Sequence, residues 1–201
     1  WMLGVRNSFI VGIASTLLAT SLGTIAALGL SRPHMPFKAL IMAILISPMI
    51  VPLIITAAGM FFFYSQLGLT HTFTGLILAH TALGTPFVVI TVTATLTGFD
   101  TNLIRASQSL GADILRTFFK VIMPLILPGV ISGALFAFIT SFDEVVVVLF
   151  IGSIEQITIP KQMWAGLRQE TSPVILSMAT CLVLLSIALL TTVELLRRRS
   201  E

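Results

Sequence analysis

Residues 105–130 read RASQSLGADILRTFFKVIMPLILPGV and place four charged side chains within sixteen residues of an apolar chain. The composition of the chain is 56% hydrophobic and 9% charged, with a mean hydropathy of +1.06. Soluble domains carry about 25% charged residues, so most of this surface must face a solvent other than water. Apolar runs flank the stretch on both sides, and a membrane helix needs about 20 such residues. The stretch therefore predicts a polar insert between membrane helices.

Apolar stretches of span length recur along the whole chain. Five of them can be drawn, at residues 7–30, 39–64, 73–96, 124–142 and 174–196. The first is rich in small residues, which let membrane helices approach closely. The second contains Pro48 and Pro52, which bend a helix where protein or a cavity satisfies the freed backbone groups. These features predict one all-α, polytopic membrane domain over residues 1–201.

The basic residues indicate how the spans are oriented. Segments 31–38, 98–120 and 197–199 hold eight of the eleven Lys and Arg residues. Because cytoplasmic loops are enriched in Lys and Arg, these three segments are predicted to be cytoplasmic. Residues 153–173 are then extracytoplasmic. Residue 1 also lies outside, so we expect a sixth helix upstream of it.

The polar insert, defined as residues 98–121, has its own helical pattern. Turn and cap residues open it, a first short helix follows, and Gly111 interrupts the run. Leu110, Ile114, Phe118 and Val121 then recur at about one helical turn, as on a one-sided apolar stripe. The pattern predicts two short helices joined at a glycine. By periodicity alone they fit an amphipathic loop lying on lipid headgroups.

The order of residues in the insert suggests a second interpretation. Ala106, then Gly111-Ala112, then Ile122-x-Pro124 resembles the cytoplasmic motif of bacterial ABC importer permeases, which runs Glu-Ala-Ala, Gly and Ile-x-Leu-Pro. The resemblance extends to PFVVITVTATLTGFD (86–100), SFDEVVVVLFIG (141–152) and ITIPKQMWAGLRQETSPV (157–174). It is closest to the second permease subunit of spermidine/putrescine-type importers.

That resemblance implies the transmembrane domain of a type I ABC importer, with the insert as the coupling helix in a cleft of a cytoplasmic ATPase. Leu110, Ile114 and Phe118 are expected to supply docking contacts. Arg105 replaces the usual Glu of the motif and Ser107 its second Ala. The complete set of coupling residues implied is Arg105, Ala106, Ser107, Leu110, Gly111, Ala112, Ile114, Phe118 and Pro124.

The resemblance also implies the partners of the chain. They are two cytoplasmic ATPase subunits, a second and different permease, and a periplasmic solute-binding protein at the bacterial inner membrane. The chain has no G-x-x-x-x-G-K-[ST] phosphate loop, so ATP and Mg are expected on the ATPase subunits. No cofactor is expected on this chain, and the chain is not expected to be an enzyme.

Asp143 and Glu144 are carboxylates next to a predicted span. Ionisable residues at membrane depth usually face a cavity or partner, which makes both acids candidates for a substrate pathway. Two carboxylates suit a polyamine cation by charge pairing. A purely structural interpretation is also available, because Ser141-x-x-Glu144 fits a capping box where one helix ends and another begins.

The leading hypothesis is therefore a permease subunit of an ATP-driven importer for polyamines or related small cationic solutes. The alternative is an ion-coupled secondary transporter subunit, in which Asp143 and Glu144 are the only plausible coupling acids. No metal site is predicted, because His34, His71 and His80 lack the spacing of metal ligands. Each of the three is expected to be a loop or core histidine.

Overall fold

The computed structural model describes residues 1–32, 34–100, 102–169 and 173–198, and this part of the chain is all-helical. A π-helix, Phe118–Ile122, separates α6 from α7. The α-helices, numbered in chain order, are α1 Met2–Leu30, α2 Lys38–Ile50, α3 Leu53–Gln66, α4 Phe73–Thr97, α5 Asn102–Ser109, α6 Ile114–Thr117, α7 Met123–Asp143, α8 Val146–Ile151, α9 Ile159–Gln169 and α10 Pro173–Arg198.

Three of the predicted spans are long apolar helices. They are α1, α4 and the continuous helical run Ile114–Asp143, which contains α6, the π-helix and α7. The predicted span 174–196 lies within α10, which is apolar over Pro173–Leu189. The side chains of residues 193–201, including the basic tail, lie outside the described residues.

The stretch predicted as one proline-bent span, residues 39–64, is sharply broken in the structure. This stretch forms α2 and α3, whose axes differ in direction by 107°. Pro48 is accommodated inside α2, so the break occurs later, at Val51. Val51 has an extended backbone (φ −71°, ψ 136°), as expected for a residue that precedes a proline. The ring of Pro52 therefore ends one helix and begins the next at a new angle.

The core is built where α1, α4 and α7 approach closely. Val88 of α4 is fully buried between Gly23 of α1 and Gly133 of α7. A Cβ atom added at Gly23 would lie 2.7 Å from Val88 Cβ, and one added at Gly133 would lie 2.8 Å from Val88 Cα. Membrane helices associate through such small residues because packing, rather than hydrophobicity, favours their contact.

A buried polar cluster joins the same three helices. His80 Nδ1 of α4 lies 2.8 Å from Ser141 Oγ of α7, and that hydroxyl lies 3.0 Å from Ser15 Oγ of α1. All three residues are buried. His80 is thus a core histidine, as predicted from the sequence.

The close approach of α7 to α4 predicts a strong effect of one added methyl group. Gly133→Ala forces the two backbones apart, and overpacking of this kind costs about 1–3 kcal/mol. We expect a lower midpoint of thermal unfolding for the purified variant in detergent. Gly59→Ala in α3 is the matched control, because nothing lies within 4 Å of its added Cβ. Equal unfolding midpoints for the two variants would contradict this account of the core.

Candidate coupling and translocation site

The polar insert contains a short helix, α5, that is joined through Gly111 to a second helical segment, α6, but α6 continues through the π-helix into α7 and is not the separate short helix that the sequence predicts. Asp100 Oδ1 accepts a hydrogen bond from the Asn102 N–H (2.9 Å), where α5 begins. Gly111 has a left-handed backbone (φ 82°), which a residue with a Cβ adopts at a cost. Asp113 Oδ1 then accepts from the Arg116 N–H (2.6 Å) and caps α6. The turn therefore depends on Gly111 and on one aspartate.

A side-chain hydrogen bond braces the two short helices against each other. Ser107 Oγ of α5 lies 3.0 Å from Thr117 Oγ1 of α6, and Thr117 is buried. Ser107 is the residue that replaces the second alanine of the motif. The substitution therefore provides a hydroxyl that alanine lacks, and with it a bond across the turn.

The apolar residues of the insert divide into two groups. Leu110 and Ile114 are 89% and 80% exposed, and Leu115 and Phe119 share this outward exposure. Phe118 is half-buried and lines a cavity between the insert and the ends of α1 and α4. Leu110, Ile114 and Phe118 of the predicted stripe therefore differ in exposure, although Ile114 and Phe118 line the same cavity.

The reason is local geometry. Leu110 precedes the break at Gly111, and Phe118 begins the π-helix, where the period of 3.6 residues no longer holds. Leu115 and Phe119 were missed for the same reason. Among the other predicted coupling residues, Arg105, Ala106 and Pro124 are exposed and Ala112 is half-buried.

The two predicted pathway acids have different surroundings. Glu144 is 6% exposed, and its two carboxylate oxygens accept from the Val146 and Val147 N–H groups, each at 2.8 Å. These bonds satisfy orphan donors at the start of α8. Asp143 is exposed at the end of α7, and no hydrogen bond or ion pair holds its carboxylate within the described part of the chain.

The predicted capping box at Ser141-x-x-Glu144 is only partly correct. One helix ends at Asp143 and another begins at Val146, so the predicted break is present. Ser141 is not the cap, because it lies inside α7 and its hydroxyl contacts His80 and Ser15. Glu144 alone provides the side chain that caps the new helix.

Residues 153–169 are fastened to the ends of α8 and α1. Lys161 Nζ donates to the carbonyl oxygens of Val148 (3.2 Å), Gly152 (2.9 Å) and Ser153 (3.2 Å). A cation is favourable at this end of α8, where carbonyl groups point outward. Burial lowers the pKa of the Lys161 amino group below its usual value.

Asn7 makes the second attachment. Its Nδ2 donates to the carbonyl oxygens of Glu155 (2.7 Å) and Ile157 (2.9 Å), which lie 148 and 150 residues away in the sequence. The segment that follows forms the short helix α9. The side chain of Arg168 and residues 170–172 lie outside the described residues.

Comparison with known proteins agrees with this arrangement. Residues 19–201 match the family described as "Binding-protein-dependent transport system inner membrane component". The spermidine/putrescine transport system permease protein PotC of Haemophilus influenzae is 30% identical over 195 residues, which cover 97% of this chain and 76% of that protein. PotC of Escherichia coli K12 is 30% identical over 193 residues, covering 96% and 73%.

Two solved structures share the fold. An inward-facing MetNI methionine ABC transporter chain superposes with a TM-score of 0.74 at 20% identity, covering 98% of this chain and 94% of its own. A chain of a bacterial ABC transporter that imports alginate gives a TM-score of 0.71 at 15% identity, covering 99% and 74%. The chain belongs to the inner membrane components of binding-protein-dependent transport systems, the non-catalytic permease subunits of ABC importers whose ATPase is a separate subunit.

Proposed function

We propose that this permease forms half of a translocation pathway for polyamines or related small cationic solutes. Its polar insert, on the cytoplasmic side, docks on an ATPase subunit. The complete assembly contains two ATPase subunits carrying ATP and Mg, a second and different permease, and a periplasmic binding protein that approaches residues 153–173. The name of the PotC relatives supports the cargo class, and the exposed apolar surface of the insert supports the docking.

The exposed apolar surface of the insert is the observation that carries the coupling role. Leu110, Ile114, Leu115 and Phe119 form what we call the docking surface, and each is at least 64% exposed. Exposed apolar patches on a polar, membrane-flanking segment are typical of protein contact sites. The Ser107–Thr117 hydrogen bond holds the two short helices together, so the docking surface has a defined shape before it meets a partner.

Coupling in this proposal runs through one helical rod. The run Ile114–Asp143 begins within the docking surface and ends at the exposed Asp143. ATP closes the ATPase pair and pushes the two docking surfaces of the assembly together, which opens the pathway outward. Hydrolysis reverses the movement. The chain supplies no catalytic group to this cycle; it transmits displacement from Ile114 to the outer half of the membrane.

Asp143 is the acid that we assign to the pathway. A polyamine carries positive charge, and a carboxylate free of intramolecular bonds can pair with it. Glu144 has a structural role in this proposal, because both of its oxygens already accept backbone hydrogen bonds.

The docking role predicts a sharp effect at Gly111. Gly111→Val places a β-branched residue at a positive φ, where L-residues pay about 1–2 kcal/mol and β-branched residues are outliers. We expect the turn to distort and the ATPase subunit to co-purify with the complex at a several-fold lower yield. Gly98→Val is the control, because Gly98 has a negative φ and an added Cβ there meets no atom within 4 Å. Unchanged co-purification and unchanged transport by the Gly111 variant would rule out docking through this turn.

The different roles that we assign to Asp143 and Glu144 give another prediction. Asp143→Asn should lower ATP-driven uptake of spermidine into proteoliposomes by about tenfold, or roughly 1.4 kcal/mol, without changing the unfolding midpoint. Glu144→Gln should lower the unfolding midpoint, because hydrogen bonds to a charged group contribute about 1.5–3 kcal/mol.

The same assay tests the alternatives. Normal spermidine uptake by the Asp143 variant would remove this residue from the pathway. Uptake that runs on an ion gradient without ATP would instead favour the ion-coupled secondary transporter.

A further inference from the structure

A cavity of about 470 Å³ separates the polar insert from the membrane helices. The ends of α1 and α4 form one wall, and the insert, from α5 to the π-helix, forms the other. Its volume lies in the range of about 300–1,000 Å³ that is usual for small-molecule sites. The cavity adjoins the docking surface, because Ile114 and Leu115 of that surface are also among its lining residues, whereas Leu110 and Phe119 are not. The half-buried Phe118 lines it as well.

The residues that line the cavity are complementary to an anionic amphiphile. Leu96, Phe99, Ile104 and Phe118 give it apolar walls, and Arg32 is also among the lining residues. None of the described lining residues is acidic. An arginine in this setting favours phosphate, which it can bind through two parallel hydrogen bonds. An apolar tail and a phosphate group are the two parts of a phospholipid.

The position of the cavity points to the same occupant. α1 has 29 residues and α4 has 25, so each is longer than the roughly 20 residues that cross a bilayer core. Their ends, where the cavity opens, therefore lie near the level of the lipid headgroups. Basic pockets between helices on the cytoplasmic side are known to hold anionic headgroups. Arg116 and Lys120, both exposed on the insert, add positive charge near this site.

We propose that this cavity binds one anionic phospholipid, with an acyl chain between Leu96, Ile104 and Phe118 and the phosphate at Arg32. The proposal rests on the proposed function in one respect, namely that the insert lies at the cytoplasmic membrane surface. Because the insert forms one wall, a bound acyl chain sets the distance between the insert and the ends of α1 and α4. The lipid thereby acts as a spacer, and coupling depends on the anionic lipid content of the membrane.

The test uses the complete importer in nanodiscs and a phosphatidylglycerol probe with a photoreactive diazirine in its acyl chain. Crosslinked positions are mapped by mass spectrometry, in the absence of cargo and ATP. We expect labelling to concentrate on Leu96, Phe99, Ile104 and Phe118. A phosphatidylcholine probe with the same acyl chain should label these positions several-fold less, and inorganic phosphate should not compete, which separates a lipid from a free phosphate.

Two variants and one control complete the experiment. Ile104→Trp fills the apolar part of the cavity and Arg32→Gln removes its cation, so each should lower phosphatidylglycerol labelling several-fold. Lys38→Gln is the control, since it removes a neighbouring exposed cation that does not line the cavity. Equal labelling by the two probes, or labelling unchanged in both variants, would overturn the proposal.

The readout is independent of transport. If the unmodified importer is labelled normally by the probe but does not take up spermidine, the proposed cargo is rejected and the lipid site is retained. In the opposite case, normal uptake with no cavity labelling would reject the lipid site alone.

Discussion

The contact between Val88 and the two glycines that flank it sets the geometry of the whole chain. Because Gly23 and Gly133 have no side chain, α1 and α7 can pack directly against Val88 of α4. The other elements are attached to this three-helix frame. The polar insert connects the end of α4 to the start of α7, and residues 153–169 are fastened to the start of α1 through Asn7.

Polar groups inside this frame determine where its helices end. Ser141 is held by His80 and Ser15, and α7 terminates two residues later. The next helix, α8, is closed at both ends by charged side chains of opposite sign, Glu144 at its start and Lys161 at its finish. A helix of six residues has little stability of its own, so these two charges, together with burial of its valines, define its position.

Hydrophobicity along the sequence predicted the frame well, because the residues of α1, α4 and α7 follow the length that a bilayer imposes. The break at Gly111 was also predicted, because a glycine between two short amphipathic segments allows the backbone to turn. A bend in the second span was predicted from its prolines, but its position at Val51 was not, because Pro48 and Pro52 look alike in sequence and only the second breaks the helix. The unequal exposure of Leu110, Ile114 and Phe118 was not predicted, because a helical period assumes a regular α-helix, and both Gly111 and the π-helix depart from it. The role of Ser141 depends on two residues distant in sequence, which no local pattern contains.

The π-helix has a mechanical consequence for the run Ile114–Asp143. The residues that flank Phe118–Ile122 have helical dihedral angles, so the helical run is not interrupted there. Its 30 residues span about 45 Å. Such a helical rod can transmit rotation about its axis as well as displacement along it. A twist applied at Ile114 would turn Asp143 about the same axis, and the wider turn at Phe118 sets the angular phase between the two ends. Insertion or deletion of one residue there would leave the length of the rod almost unchanged while it rotated Asp143 by about 100°, toward a different neighbour.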